Sequence, residues 1–261
     1  KLIALFSLLF LFGVVMISCD EESLLPETPD TTSVEDNAAA ETGVARVFEN
    51  VNNYGINEEG KKNMMDNAPD SIGWDADSLE ITMKFGDGYI IAKFSGKPNW
   101  NTANLSADVT MNNFDVSGTK MDGAFTLAFA FNLLNPDLGP TFDIVADEFL
   151  IFTADTISKW KGNRHIEWSA GWLTPIDEAD DIYEFSGTSE GENSVGNPYV
   201  TVIDETAPLQ RRADCEYITS GIMTITETVP AEEEGGEPEV KVMEINFGDG
   251  DCDSKMLVTI D

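Results

Sequence analysis

The sequence predicts an all-β protein, an antiparallel sandwich or a long meander, with a short amphipathic helix ahead of it. Three observations carry this. From Leu79 onward, short runs rich in β-branched and aromatic residues alternate with clusters of Gly, Asn, Asp and Pro. In Ile166-Glu167-Trp168-Ser169-Ala170-Gly171-Trp172 the large apolar side chains fall on one face, as they do in a half-buried strand. No helical pattern of about 12 residues separates these runs, so parallel crossovers have nothing to build them and the pairing is antiparallel.

The elements follow in order. Residues 1–18 form an apolar leader, and residues 19–42 a Glu, Asp, Thr, Pro and Ala-rich tether with too few large apolar residues to bury. Val44, Val47, Phe48 and Val51 recur at helical spacing. They place a short helix over about 38–54, ended by Tyr54-Gly55, within a helix-plus-irregular segment assigned to 43–78. Strands are predicted near 79–85, 89–95, 105–118, 122–134, 141–153, 164–173, 181–189, 198–204, 216–227, 240–247 and 255–260. An internal echo suggests two related halves, about 79–154 and 155–261. Phe85-Gly86-Asp87-Gly88 precedes one strand, and Phe247-Gly248-Asp249-Gly250 leads toward another. Gly supplies the positive φ of a tight turn and Asp bonds its own backbone, so both are expected as hairpins. The loop Glu232-Glu233-Glu234-Gly235-Gly236-Glu237 is expected as a solvated hairpin tip.

Composition narrows the function classes. Forty-eight Asp and Glu against 15 Lys and Arg give a formal net charge of −33. Nucleic acid is excluded as a partner, because binding it relies on cationic side chains that neutralise phosphates. The plain use of such charge is solubility. With 42% hydrophobic residues the chain can still build a core of domain size.

Lys1 precedes an apolar or small stretch, residues 2–17, that runs into Ser18-Cys19-Asp20-Glu21-Glu22. The order aliphatic residue, small residue, Cys resembles the lipobox of bacterial lipoproteins, with Met16 standing where that family usually has Leu. The resemblance implies that the leader is removed and Cys19 is acylated. A transmembrane helix is the plainer alternative, but the stretch is at the short limit of a span and only acidic residues follow it. Two or three acyl chains, at about 0.8 kcal/mol per buried methylene, would make attachment to the outer membrane nearly permanent. Asp20, Glu21 and Glu22 resemble the export signal that carries Bacteroidetes-type lipoproteins to the cell exterior; the periplasmic face is the alternative. With Cys19 acylated in an oxidising compartment, Cys215 and Cys252 remain and are expected as a disulfide.

Further pieces resemble a family of uncharacterised Bacteroidetes outer-membrane lipoproteins. They are the first Phe-Gly-Asp-Gly turn, Asn112-Asn113-Phe114-Asp115-Val116-Ser117-Gly118, Met121-Asp122-Gly123, and Arg164, Trp168 and Gly171. After these come Asp181-Ile182-Tyr183, Ser186-Gly187, Pro208-Leu209, Cys215, Ser220-Gly221, and the second Phe-Gly-Asp-Gly with Cys252-Asp253. The resemblance spans most of the mature chain and implies an all-β domain with no activity to transfer to a residue. Relatives often carry Cys where Tyr89 stands, and they continue past Asp261 into one more strand. Together with the missing initial Met, this leads us to expect a chain clipped at both ends, whose last strand lacks a neighbour.

Candidate chemistry is sparse. Asp249, Asp251 and Asp253 alternate as in a calcium loop, but Ser254 and Ile260 occupy the positions that need Gly and Glu, so a turn is preferred and no metal or other cofactor is assigned. His165 is the sole His, and neither a Gly-x-Ser-x-Gly elbow nor a His-Glu-x-x-His motif accompanies it. No enzyme is expected. A carboxylate pair for glycoside hydrolysis arises by chance among so many acids. Trp168 and Trp172 share a strand face and are expected in the core. Trp100, in a polar loop, and Trp160 are the candidates for stacking on sugar rings. The expected function is non-catalytic binding or a structural role in the cell envelope. A glycan-binding surface lipoprotein and a fimbrial or adhesin subunit are the alternatives, with a polysaccharide or an envelope protein as partner.

Overall fold

A computed structural model describes residues 30–56, 68–98, 104–116, 118–131, 138–153, 156–174, 180–215, 217–231, 236–253 and 255–261. Thr31–Asp261 is one compact unit, distinct from Lys1–Asp30. It contains helix α1 (Thr32–Asn50), continued by a π-helical turn Val51–Ile56, and then, among the described elements, strands. These are β1 (Ser71–Asp75), β2 (Glu80–Phe85), β3 (Gly88–Phe94), β4 (Leu105–Val116), β5 (Thr119–Ala130), β6 (Thr141–Thr153) and β7 (Thr156–Ala170). They are followed by β8 (Ile182–Glu192), β9 (Pro198–Ile203), β10 (Leu209–Arg212), β11 (Ile218–Val229), β12 (Glu239–Asp249) and β13 (Leu257–Ile260).

The strands form one antiparallel sheet in chain order from β1 to β8 and again from β10 to β13. Of the two predicted arrangements, the long meander is the one formed. β9 and β10 share a single slot: β9 pairs the C-terminal half of β8 and β10 its N-terminal half, and both pair β11. A turn at residues 204–208 therefore interrupts what would otherwise be one strand.

The sheet wraps the helix. α1 touches β4, β6, β7 and β11, which lie far apart along the sheet. Its buried residues include Val34, Ala40, Val44, Val47 and Phe48, but also Ser33, Asp36, Asn37 and Glu49. Only Glu35 on the helix is exposed. Phe48 packs edge-on against Phe142 and Tyr183, at 4.7 and 5.7 Å between centroids. Gly43 admits the close crossing over β5, since a Cβ there would overlap the Met121 side chain.

Several expectations are corrected. The helix starts at Thr32, inside the stretch read as tether, because its polar first turns are buried against polar groups of the sheet. Asn37 Oδ1 accepts from Thr201 Oγ1 at 3.1 Å, and Asp36 Oδ2 accepts the Ser194 N–H at 2.6 Å. β7 begins at Thr156 rather than near residue 164. β1 and β10 are strands that the sequence reading left irregular. The first Gly-Asp-Gly is the expected tight hairpin, with Phe85 opposite Gly88 and Gly86 at φ 58°. The second is not: β12 continues to Asp249, and the connection to β13 is a longer loop carrying Cys252. Cys252 is disulfide-bonded to Cys215, 37 residues earlier. β13 pairs β12 alone among the described strands.

Candidate functional site

Alternation along β6, β7 and β8 sends one set of side chains toward α1 and the other outward. On the outward side, register places Asp143, His165 and Ser186 in one row across three adjacent strands. One step along, Glu167 stands directly opposite Glu184. The turn at residues 204–208 adds Glu205 and Pro208 above them. His165, Glu167, Glu184, Ser186, Glu205 and Pro208 line a pocket of about 380 Å³.

The groups in this pocket are oriented. Asp143 Oδ1 meets His165 Nδ1 at 2.7 Å. A carboxylate only accepts, so Nδ1 carries the proton, and in the neutral ring Nε2 is left as an acceptor. Gln210 Nε2 donates to Glu184 at 2.9 Å, and Ser220 Oγ donates to the Gln210 carbonyl oxygen at 3.1 Å, which fixes the amide. The turn carrying Glu205 is tied by Asp204, whose Oδ1 accepts from the Thr206 N–H at 2.7 Å. Hydrogen bonds from Thr206 hold the Asp204 carboxyl below its usual range.

Asp143, His165 and Ser186 have the order of an orienting acid, a base and a nucleophile. The walls oppose that chemistry. Acyl transfer builds negative charge on a substrate oxygen, and Glu167, Glu184 and Glu205 would repel it where an oxyanion hole needs donors. The same walls favour a bound positive charge.

Two other depressions differ in kind. An outer groove of about 680 Å³ runs over β7, β8 and β9, but its two cations are already paired: Lys161 with Glu190 at 2.6 Å and Lys159 with Glu192 at 3.3 Å. A crevice of about 280 Å³ opens between α1 and β10–β12, lined chiefly by Leu209, Tyr217, Ile218, Met223, Phe247 and Met256.

The remaining sequence candidates fall as follows. Cys19, Asp20, Glu21, Glu22 and Trp100 lie outside the described residues. Trp160 is fully buried, stacked on Phe149 at 5.2 Å with the Arg164 guanidinium 5.3 Å from its ring, so it cannot meet a glycan. Trp168 is buried, as expected, while Trp172 is half-buried against Phe131 beyond the end of β7. Asp253 is held by Lys255, whose Nζ lies at 2.6 Å, and Asp249 ends β12. Among the described residues, no three His, Cys, Asp or Glu side chains gather to hold a metal ion. Trp74, on β1, is 45% exposed.

No family model, no curated protein and no solved structure matches the chain.

Proposed function

We propose that this chain is a lipid-anchored protein of the bacterial cell envelope, attached to the outer membrane through Cys19, whose β domain binds rather than catalyses. The observation that carries the anchor is the junction Ser18-Cys19-Asp20-Glu21-Glu22, which falls within the thirty residues ahead of the compact unit. The resemblance to Bacteroidetes outer-membrane lipoproteins supports the same location, and the acids after Cys19 favour the cell exterior over the periplasmic face. Binding is supported by the carboxylate walls around the one Asp-His-Ser row described above, which disfavour acyl transfer.

Protease shaving of intact and lysed cells, with an antibody to residues 79–261, tests the orientation. Loss of signal on intact cells supports surface display, and protection until lysis overturns it. Labelling with an alkyne fatty acid tests the anchor: Cys19→Ser abolishes the label if Cys19 is the acylated residue.

A second reading rests on β1. All five of its residues are exposed, and among the described strands it pairs β2 alone. An open edge of this kind is a template for strand addition, as an adhesin or fimbrial subunit would use. Polymers in solution, lost when Gly73→Pro blocks the edge, would favour it. The glycan alternative, with Trp160 in the core, stands on Trp100 and the exposed Trp74.

A further inference from the structure

We infer that the acidic pocket over β7 and β8 is a receptor for a guanidinium group. The inference draws on the reading of the domain as a binder and is independent of how the chain is anchored.

Among the described residues, three carboxylates line the pocket and neither Lys nor Arg does. Glu167 and Glu184 face each other directly across neighbouring strands, an arrangement of like charges that weakens a sheet unless a cation lies between them. Acidity alone would fit any charged surface of this chain. Ser186 adds an observation of a different kind. It is only 5% exposed, it lines the same pocket, and its hydroxyl makes no hydrogen bond among the described residues. A hydroxyl that opens on the pocket from an otherwise buried side chain is free to donate to or accept from a bound group.

The spacing selects the cation. The acids come from β7, β8 and the turn after β9, and they surround a volume instead of converging on a point. In agreement, no metal-holding group of three occurs among the described residues. A guanidinium spreads its charge over a plane with five N–H donors and can reach separated acceptors at once. Glu167 and Glu184 supply the bidentate acceptors, and Glu205 closes over the upper edge. Ser186 Oγ offers a further acceptor at the floor.

The group can come from a free arginine derivative or from an arginine side chain on a polypeptide. Because His165 is the only His, its imidazole Cε1–H signal in proton NMR is a unique reporter from inside the pocket. Arginine amide is the free probe, an acetylated Gly-Arg-Gly amide the peptide probe, and citrulline amide the neutral isostere. Arginine amide is expected to shift the His165 signal with a Kd of about 1 mM or tighter. Sodium chloride should weaken it, and citrulline amide should have no effect. Binding of the peptide probe as well would assign the source to a polypeptide, and exclusion of the peptide would assign it to a small molecule. Glu184→Gln and Glu167→Gln should each weaken arginine amide by about tenfold. Glu148→Gln, in the neighbouring groove, should leave it unchanged. Equal binding of citrulline amide, no shift with arginine amide, or full affinity in folded Glu184→Gln overturns the assignment. Those results would leave the anchor untouched, since fatty-acid labelling reads it separately.

Discussion

Arg164 on β7 and Glu41 on α1 form a two-pronged ion pair in the interior: Nε donates to Oε2 at 2.9 Å and Nη2 donates to Oε1. Arg164 is fully buried and also donates to Ser189 Oγ at 2.8 Å and to the Asn163 carbonyl at 2.9 Å. A second buried ion pair, Arg211 Nη1 with Glu49 Oε1 at 2.9 Å, lies nearer the end of the helix. These pairs peg a helix with many polar residues into one axial position and rotation within the curled sheet. An apolar stripe alone would specify that position less sharply.

Arg164→Met strands the Glu41 carboxylate in the interior and should cost about 3–5 kcal/mol in urea unfolding at neutral pH. Combining it with Glu41→Leu removes both charges and should recover much of that loss. A double variant no more stable than Arg164→Met would mean that the pair does not act as a unit.

Tyr199 sets an alkaline limit. Its ring lies over Gly191, where an added Cβ would come within 2.7 Å of the phenol oxygen. The hydroxyl is buried without a hydrogen-bond partner among the described residues. Burial, reinforced by the nearby Glu41 and Asp36 charges, pushes its pKa well above the usual phenol range. The folded state therefore favours the neutral phenol. That contribution is complete below the unfolded pKa of about 10 and is lost as pH rises from there toward the folded pKa. Tyr199→Phe should be neutral or slightly stabilising at pH 7, since it deletes an unpaired polar atom. It should also flatten the fall in stability above pH 10. Denaturant midpoints at pH 7, 9 and 10.5 test both effects, and an unchanged alkaline slope would count against Tyr199 as its source.

The Cys215–Cys252 bridge closes a loop over a sequence separation of 37. It links the turn after β10 to the loop between β12 and β13, the region that also frames the apolar crevice. In the chain-entropy model such a loop contributes about 4 kcal/mol. Reduction, or replacement of both residues by Ala, should lower the unfolding midpoint accordingly. β13 should lose amide-exchange protection first, since only β12 holds it among the described strands.

Much of this fold was legible because most strands obey strict alternation, β4 and β5 most clearly. The elements that escaped detection break that pattern for physical reasons. β1 is exposed along its whole length and offers no apolar face to read. β10 is four residues, Leu209-Gln210-Arg211-Arg212, and the side chain it turns inward beside Leu209 is Arg211, which meets Glu49. The start of β7 turns Ser158 inward. The first turns of α1 bury Ser33, Asp36 and Asn37, so composition alone made them resemble a tether. The site was legible only as a lone His165. Asp143 and Ser186 reach it through strand register, and Glu205 through the turn that splits β9 from β10. Neither has a local sequence signature.

Glu167 and Glu184 give the last test, one that needs no ligand. As a directly opposed like-charged pair they should destabilise the free protein, so Glu167→Gln should raise its stability by about 0.2–1 kcal/mol at low salt. Screening should shrink that gain toward zero at about 1 M salt, where the Debye length is near 3 Å. Arginine amide should raise the melting temperature of the parent chain more than that of Glu167→Gln, because only the parent has the repulsion to relieve. If Glu167→Gln proves less stable than the parent at low salt, then Glu167 has a favourable partner in the free protein and the pocket is already neutralised.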